Sequence, residues 1–365
     1  MSRFAKRRDK IRQLLRKNRF DGLLVTNFKN VTYLTGFTGD DSYLLVTPKH
    51  TLLLTDDRYT TQLEDECPDV ELSIRGPGKT MLASVADLVT KSKIKLLAFE
   101  AISMTVALQM ALSKAVAKVE CVATEGWVEE LRMIKDSDEI ARTRVACRQA
   151  ERAFEVVRAL LNPEMTELEV AAELEYQARR FGGRCLSFPP IVGVGPRSAL
   201  PHGTPTSRRI CESDFTLIDW GVNEGLYVSD LTRILVTGKI SPKLRKIYGV
   251  VLKAQLAAIQ AIRPGVTCGT VDRTARDIIT KAGYGKQFGH GLGHGTGLDI
   301  HESPRLSRGQ KTPLAAGMII TVEPGIYLPG WGGVRIEDDI LVTRTGHDVL
   351  TSVPKQLEEC VLFFQ

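Results

Sequence analysis

The chain has 365 residues, of which 43% are hydrophobic, and a net charge of +6. This length allows two domains with their own cores, and no run of eighteen apolar residues predicts a membrane helix. The seven cysteines include no Cys-x-x-Cys pair, which favours free thiols in a reduced compartment over a disulfide framework. The charged start lacks the apolar segment of a signal peptide, so we expect a cytoplasmic protein.

The basic character is concentrated at the start of the chain. Residues 1–19 contain nine Lys or Arg and a single acid, so the rest of the chain is slightly acidic. Phe4, Ile11, Leu14 and Leu15 recur at helical intervals, which predicts an amphipathic helix packed on the first sheet with its charges solvated. The single aromatic residue of this segment, Phe4, belongs to the apolar set, so no row of stacking aromatics accompanies the charges, and we expect binding to neither nucleic acid nor a membrane.

Residues 1–124 are predicted to form an α/β domain. Short apolar runs predict strands, and helical periodicity predicts helices between them. The strands are expected at Leu23–Thr26, Tyr43–Thr47, Leu52–Thr55 and Lys95–Phe99, and the helices at Met81–Lys91 and Val106–Lys118. The boundary is placed near residue 124, so that residues 125–365 form the second domain.

The second domain is predicted to contain two pairs of helices. They are expected to begin at Asp136, at Thr166, at Ser241-Pro242 and near Thr270. Asp136 and Glu139 have capping-box spacing, as do Thr166 and Glu169. Each pair precedes an acidic hairpin, so we expect two similar halves.

The first acidic hairpin is predicted over residues 215–233. Two apolar runs flank Asn223-Glu-Gly225, which is a turn signal. If Glu224 and Gly225 are the central turn residues, Asp219 lies directly opposite Asp230, about 5 Å away.

A second hairpin is predicted over residues 318–340. Folding it about Gly330 brings Glu323 level with Glu337. Acids beside a turn are often simply solvated, but all four carboxylates here lie within or beside apolar strands, where an unpaired charge costs several kcal/mol. Two divalent cations would balance four clustered carboxylates.

The segment from Gly289 to Pro304 holds three of the six histidines, His290, His294 and His301. Glycine neighbours allow backbone and rings to approach a site closely, although His290 alone could be a turn histidine. Mostly oxygen ligands with one nitrogen favour Mn²⁺ or Co²⁺, with Zn²⁺ possible. Two such ions would lower the pKa of a water between them, so the pattern predicts a hydrolase.

These segments resemble the signatures of the pita-bread metallopeptidases. The matching pieces are Ile218–Gly221, Ser229–Arg233, His290–His301, Thr321–Gly325 and Gly333–Asp338. Within that superfamily the chain resembles the branch of aminopeptidase P and prolidase, whose members cleave Xaa-Pro bonds. The resemblance implies a pseudo-symmetric α+β pita-bread catalytic domain.

The resemblance also implies a role for each residue of the site. The implied ligands of two metal ions are Asp219, Asp230, His294, Glu323 and Glu337. Asp230 and Glu337 would bridge the ions, and Glu323 would also shuttle a proton to the departing proline nitrogen. His301, seven residues after His294, would contact substrate.

Further contacts are implied around this site. His202, in Leu200-Pro-His-Gly203, is expected across the active site from the metals, where it or His301 would stabilise an oxyanion, with His290 nearby. Arg335 is expected to orient carboxylates, and Tyr327 either lines a proline pocket or lies in the core. Arg305 resembles a residue that binds the free carboxylate of proline in some prolidases.

The first half resembles the N-terminal domain of prolidases, aminopeptidases P and creatinases, through residues 21–39 and 53–59. Methionine aminopeptidases usually lack that domain, and creatinases lose metal ligands. We therefore expect an Xaa-Pro aminopeptidase acting on peptides with proline second, as a homodimer. The alternatives are an Xaa-Pro dipeptidase and, from another class, a non-catalytic pita-bread binding module.

Overall fold

A computed structural model describes residues 2–362 and 364, and it divides the chain into two compact units, one ending at Arg132 and the other starting at Met133. The sequence places the boundary after residue 124, and the helix Glu129–Arg132 accounts for the difference. The side-chain amide of Asn30 donates to Glu129 (2.6 Å), and its oxygen accepts from Arg132 (2.7 Å). These bonds fix that helix to the first unit.

The first unit is an α/β layer. Its elements are α1 Arg3–Asn18, β1 Gly22–Val25, α2 Phe28–Thr35, β2 Tyr43–Val46, β3 Thr51–Asp56, α3 Thr60–Glu66, β4 Glu71–Arg75, α4 Met81–Lys91, β5 Leu96–Glu100, α5 Val106–Ala115, β6 Glu120–Thr124 and α6 Glu129–Arg132. The six strands form one sheet in the order β4-β3-β2-β1-β5-β6. The four predicted strands and the two predicted helices are present, with ends that differ by up to three residues.

The amphipathic N-terminal helix is confirmed as α1, with Ile11 and Leu15 fully buried. The expectation that its charges are solvated is wrong for Arg7 and Arg8, which are both buried. The guanidinium of Arg7 donates to the carbonyl of Tyr33 (2.9 Å), and that of Arg8 to the next carbonyl (3.0 Å). Both carbonyls belong to the last turn of α2, where cations stabilise a helix terminus.

The second unit contains two helix pairs and several small sheets. Its elements are α7 Ser137–Leu160, α8 Glu167–Arg180, β7 Cys185–Leu186, β8 Ile191–Val194, β9 Phe215–Trp220, β10 Val222–Glu224, β11 Tyr227–Val228, β12 Leu231–Val236, α9 Pro242–Ala261, α10 Cys268–Lys281, β13 Gly293–Gly295, β14 Glu302–Leu306, β15 Ile319–Val322, β16 Gly325–Leu328, β17 Gly332–Arg335, β18 Asp338–Val342 and β19 His347–Val349. Both predicted capping boxes are confirmed, at the start of α7 and of α8. Among the described helices, none combines the length and apolar content that crossing a bilayer requires.

Two hydrophobic cores lie under the two helix pairs. In one, α7 and α8 pack against β8, β9 and β12, and Phe154 stacks on Trp220 with ring centroids 4.2 Å apart. In the other, α9 and α10 pack against strands of the second hairpin. Each helix pair therefore packs against strands of the hairpin that follows it, as expected for two similar halves.

The first acidic hairpin has a different register from the predicted one. Its central turn residues are Gly225 and Leu226, both with positive φ, as a two-residue type I′ turn requires. Asp219 consequently pairs with Thr232 rather than with Asp230. The shift is two residues, so Asp219 and Asp230 stay on the same face as diagonal neighbours.

The second acidic hairpin has the predicted register. The ladder is interrupted around the two acids, with Val322 opposite Asp338 on one side and Gly325 opposite Arg335 on the other. Both pairs place Glu323 level with Glu337, which confirms the prediction.

Candidate metal centre

The hairpins and the glycine-rich segment bring the five predicted ligands into one buried site. Asp219 lies on β9, His294 on β13, and the three remaining acids lie at strand ends. Four of these side chains are buried, and that of Glu323 is 17% exposed.

Three of the five side chains lie close enough together to hold one metal ion. One ligand atom from each of Asp230, His294 and Glu337 lies within 4.8 Å of the other two. His294 Nε2 is 3.4 Å from Glu323 Oε1 and 3.6 Å from an Asp230 oxygen. The ligand set is four carboxylates and one imidazole, which suits a hard or borderline divalent ion.

The protonation state of His294 fits a metal ligand. Its Nδ1 is 3.1 Å from the carbonyl oxygen of Gly295, so Nδ1 carries the proton and the Nε2 lone pair faces the carboxylates. Burial and the nearby His301 lower the pKa of His294 to about 3, so the ring is neutral. A lone pair directed at carboxylate oxygens is unfavourable unless a cation lies between them.

The carboxylates also carry more negative charge than nearby cations compensate, with Arg335 paired to one of the four. Burial, followed by repulsion from Glu337, holds the pKa of Asp230 well above its ordinary value, and burial with repulsion from Glu323 does the same for Glu337. Burial raises the pKa of Glu323 to about 8. Asp219 Oδ1 is buried without a hydrogen-bond partner among the described residues. The residues present therefore fit divalent cations.

The two glycines beside His294 lie where the neighbouring strands leave no room for a side chain. A Cβ on Gly293 would lie 2.1 Å from the carbonyl oxygen of Thr321, and one on Gly295 would lie 2.3 Å from that of Ser303. Only glycine lets β13 pass between its two neighbouring strands and carry His294 into the site.

Arg335 organises one side of the site. Its guanidinium donates to Asp219 Oδ2 (2.5 Å), to the Tyr327 hydroxyl (2.9 Å) and to Thr232 Oγ1 (3.0 Å). A longer bond reaches the carbonyl of Pro201 (3.4 Å), the residue before His202. One guanidinium thus holds a predicted ligand and the loop of a predicted substrate contact.

His290 differs from His294 because both of its ring nitrogens are in use. Nδ1 lies 2.7 Å from the carbonyl oxygen of Gly291, and Nε2 lies 3.0 Å from the Tyr327 hydroxyl. Because Tyr327 accepts from Arg335, its own proton is directed at His290. His290 therefore has a structural role at the edge of the site. Tyr327 is a buried side chain whose hydroxyl is hydrogen-bonded to both His290 and Arg335 at the site.

His202 and His301 are exposed and form no hydrogen bond with another described residue. The ring of His301 lies 4.4 Å from that of His294, and His202 lies within electrostatic reach of both Asp219 and His301. Both imidazoles are thus at the site and available to a substrate.

Arg305 lies beside His294, as its partner across the β13–β14 ladder. It is exposed and forms no hydrogen bond or ion pair with another described residue. Its charge helps to lower the pKa of His294 and of His301, so it is within electrostatic reach of the site.

Three residues that hold the ligands were not found from the sequence. Thr232 Oγ1 donates to Glu337 (2.6 Å), Thr321 Oγ1 accepts from the His294 amide (3.1 Å), and Asp339 accepts from the Asp230 amide (2.8 Å). Alternate residues of a strand point to the same face, so the positions of Thr232 and Thr321, each two residues from a predicted ligand, could have indicated that both face the site. No sequence signal distinguishes Asp339 from the neighbouring Asp338.

A buried cluster of four carboxylates and one imidazole, carried on the hairpins and the glycine-rich segment, is a candidate site for divalent cations and fits a metal-dependent hydrolase. Residues 141–344 match metallopeptidase family M24, and residues 7–134 match the creatinase/prolidase N-terminal domain. The chain belongs to metallopeptidase family M24, which confirms the predicted fold and the predicted metallopeptidase class.

Similar proteins, two of them of known structure, match nearly the whole chain. An Xaa-Pro dipeptidase from Bacillus anthracis is 39% identical, covers 97% of this chain and 99% of its own, and has a TM-score of 0.93. An X-Pro aminopeptidase from Thermotoga maritima is 36% identical over 93% of this chain and 97% of its own, with a TM-score of 0.87. An Xaa-Pro dipeptidase from Pyrococcus horikoshii is 36% identical over 95% of this chain and 97% of its own.

Proposed function

We propose that this protein hydrolyses the peptide bond between an N-terminal residue and proline, with Xaa-Pro dipeptides as its main substrates. The observation that carries the dipeptide preference is Arg305, a cation beside His294 that has no partner among the described residues. In a dipeptide the leaving proline has a free carboxylate next to the scissile bond, whereas in a longer peptide that group is an amide. A charge-assisted hydrogen bond from Arg305 would select the dipeptide.

The five ligands are proposed to hold two divalent ions, with Mn²⁺ as the first choice and Co²⁺ or Zn²⁺ as alternatives. Bound ions of this kind polarise a carbonyl and lower the pKa of water, which is the chemistry that peptide hydrolysis requires. The proposal is supported by the uncompensated charge of the carboxylates and by the neutral, correctly oriented His294.

The protein's own side chains would then complete the reaction. As water attacks the scissile carbonyl, His301 and His202 donate hydrogen bonds to the oxygen that gains negative charge. Glu323, the partly exposed carboxylate of the site, takes the proton of the water and passes it to the departing proline nitrogen. Arg335 keeps Asp219 in place while this occurs.

Selection for proline has a steric basis. Proline has no amide hydrogen, and its ring fixes φ near −65°, so a pocket shaped for the ring can exclude ordinary residues. Tyr327, buried with its hydroxyl held by Arg335, is the proposed wall of that pocket.

The second candidate is the Xaa-Pro aminopeptidase expected from the sequence, which takes longer peptides. The X-Pro aminopeptidase of Thermotoga maritima is 36% identical to this chain, nearly as similar as the dipeptidases. The exposure of Arg305 and His301 also leaves that side open to a continuing chain.

Kinetics on three substrates distinguish the two candidates. We expect the Mn²⁺-loaded protein to cleave an Xaa-Pro dipeptide faster than the corresponding Xaa-Pro amide or Xaa-Pro-Xaa tripeptide. In Arg305→Gln the KM for the dipeptide should rise roughly 10- to 100-fold, with little change for the amide, because a hydrogen bond between charged groups is lost.

Arg344→Gln is the matched control, since Arg344 is also an exposed arginine without a partner among the described residues. A wild-type protein that prefers the tripeptide would establish the aminopeptidase instead. Equal rates on Xaa-Ala and Xaa-Pro substrates would exclude both candidates.

A further inference from the structure

A cleft of about 480 Å³ opens on the second unit beside the start of α10, and no predicted metal ligand lines it. Four cations contribute to its lining, namely Arg273, Arg276, Arg308 and Lys311. The carboxylate in the lining is Asp272. This size is typical of small-molecule sites, which occupy about 300–1,000 Å³.

The charges of the cleft are not balanced internally. Asp272 is committed to Arg276, which it binds through both carboxylate oxygens at 2.7 and 2.9 Å. Arg273, Arg308 and Lys311 are exposed and form no hydrogen bond or ion pair with another described residue. Isolated surface cations are ordinarily solvated, but three that converge on one concave surface attract an anion.

Backbone contacts hold the loop that carries Arg308 and Lys311 against the start of α10. The amide of Gly269 in the first turn of α10 donates to the carbonyl of Gln310 (3.0 Å), and the amide of Cys268 donates to that of Thr312 (2.9 Å). A Cβ on Gly269 would lie 2.7 Å from the Gln310 oxygen, so glycine allows this close approach. The loop that carries Arg308 and Lys311 is therefore docked on the helix, and recognition falls to side chains because these amides are occupied.

We propose that this cleft binds a small molecule carrying two phosphate groups. A phosphate monoester has a charge of about −1.5 to −2 at neutral pH, so two of them bring about −3 to −4 against three cations that have no partner in the described part of the chain. Guanidinium groups match phosphate oxygens with two parallel hydrogen bonds, and two of the three cations are arginines. The lining contains no aromatic side chain to stack on a base, which favours a sugar bisphosphate over a nucleotide.

Arg276 and Asp272, at the floor of the cleft, also support the segment that leads into the candidate metal centre. Arg276 donates to the carbonyls of Phe288 (2.9 Å) and His290 (2.7 Å), and Asp272 accepts from the amide of Leu292 (3.2 Å). Changing this pair would disturb the segment that carries His290. The test therefore uses the exposed wall residues Arg308 and Lys311.

Calorimetric titration of the Mn²⁺-loaded protein, freed of excess metal, with fructose 1,6-bisphosphate at about 0.15 M salt tests the proposal. We expect saturable binding at one site, weakened at least tenfold in Arg308→Gln/Lys311→Gln. The control Lys239→Gln/Arg344→Gln removes the same charge from two exposed residues outside the cleft and should bind like the wild type. Thermal unfolding checks that both variants are folded.

Three results would overturn the proposal. The first is the absence of saturable binding by the wild type. The second is equal affinity in the cleft variant and the control, which would place the ligand elsewhere, including at the metals. The third is inorganic phosphate binding as tightly as the bisphosphate, which would refute recognition of two phosphate groups.

Discussion

Two adjacent acids, Glu337 and Asp338, are both buried, with 2% and 0% of their surface exposed, but their surroundings differ. Successive residues of an extended chain point to opposite faces. Glu337 faces the other carboxylates of the metal centre, and burial with repulsion from Glu323 raises its pKa. Burial acts on Asp338 as well, but Arg233 and Lys355 more than offset it, so the pKa of Asp338 lies below its ordinary value.

The contacts of Asp338 show what a self-sufficient buried acid requires. Arg233 donates to it at 2.7 Å, Gln255 at 2.6 Å and Thr351 at 2.7 Å, and Lys355 also binds it. The metal centre places four carboxylates together, and the cation hydrogen-bonded to one of them is Arg335. Burial of an acid therefore does not by itself indicate a metal. What indicates a metal site is negative charge that the protein's own cations do not compensate.

The largest effect is expected from Glu337→Gln, which removes one charge and preserves shape. We expect the peptidase rate to fall roughly 10³-fold or more, because the loss disturbs both ions and removes several kcal/mol of transition-state stabilisation. Metal analysis should show fewer than two ions per chain. The unfolding free energy of the metal-free protein should not fall, since repulsion is relieved. Full activity with two bound ions would refute the assignment.

The same substitution one residue later, Asp338→Asn, is expected to act in the opposite way. It leaves the buried Arg233 guanidinium without its charge partner, which costs about 3–5 kcal/mol. Denaturant unfolding of the metal-free protein measures this loss. Two ions per chain should still bind under native conditions. A variant as stable as the wild type, or one that loses metal without losing stability, would contradict the comparison.

Sequence reasoning identified the parts of this fold that local signals determine. The capping boxes of α7 and α8 depend on residues three positions apart, so their spacing was sufficient. The second hairpin was placed in register because Gly330 marks its centre. The first was misplaced by two residues because Leu226 adopts a positive φ, which is rare for a leucine.

Features that depend on contacts between distant parts of the chain were harder to predict from the sequence. The buried state of Arg7 and Arg8 depends on carbonyls of α2, a short helix that was not predicted. The opposite roles of Glu337 and Asp338 depend on Arg233, more than a hundred residues earlier in the chain. Hairpin spacing indicated the four carboxylates, and the resemblance selected His294 among the histidines and supplied the role of each ligand. Those roles stay a prediction that the geometry supports.

The histidines allow a smaller test of which groups contact metal and which contact substrate. His301→Ala and His202→Ala should each retain two ions and turn over roughly 10²-fold more slowly, because a hydrogen-bond donor to the developing oxyanion is lost. His294→Ala should lose metal instead. Metal analysis alongside kcat measures both properties. Metal loss in His301→Ala together with retention in His294→Ala would reverse the roles.

The smallest expected effect is that the stabilisation of the fold by bound metal changes with pH. Burial raises the pKa of Glu323 to about 8 and holds those of Asp230 and Glu337 well above their ordinary values in the metal-free fold. An acid whose folded pKa is raised binds more protons folded than unfolded, so stability falls as pH rises from about 4.5 through 8. Mn²⁺ compensates the deprotonated carboxylates, so the gap in Tm between metal-loaded and metal-free protein should widen by several degrees between pH 5 and pH 8.

In Glu337→Gln, with one titrating carboxylate fewer, the metal-free protein should lose less stability over that interval. A gap that stays constant, or that narrows as pH rises, would mean that these carboxylates are compensated within the protein, as Asp338 is.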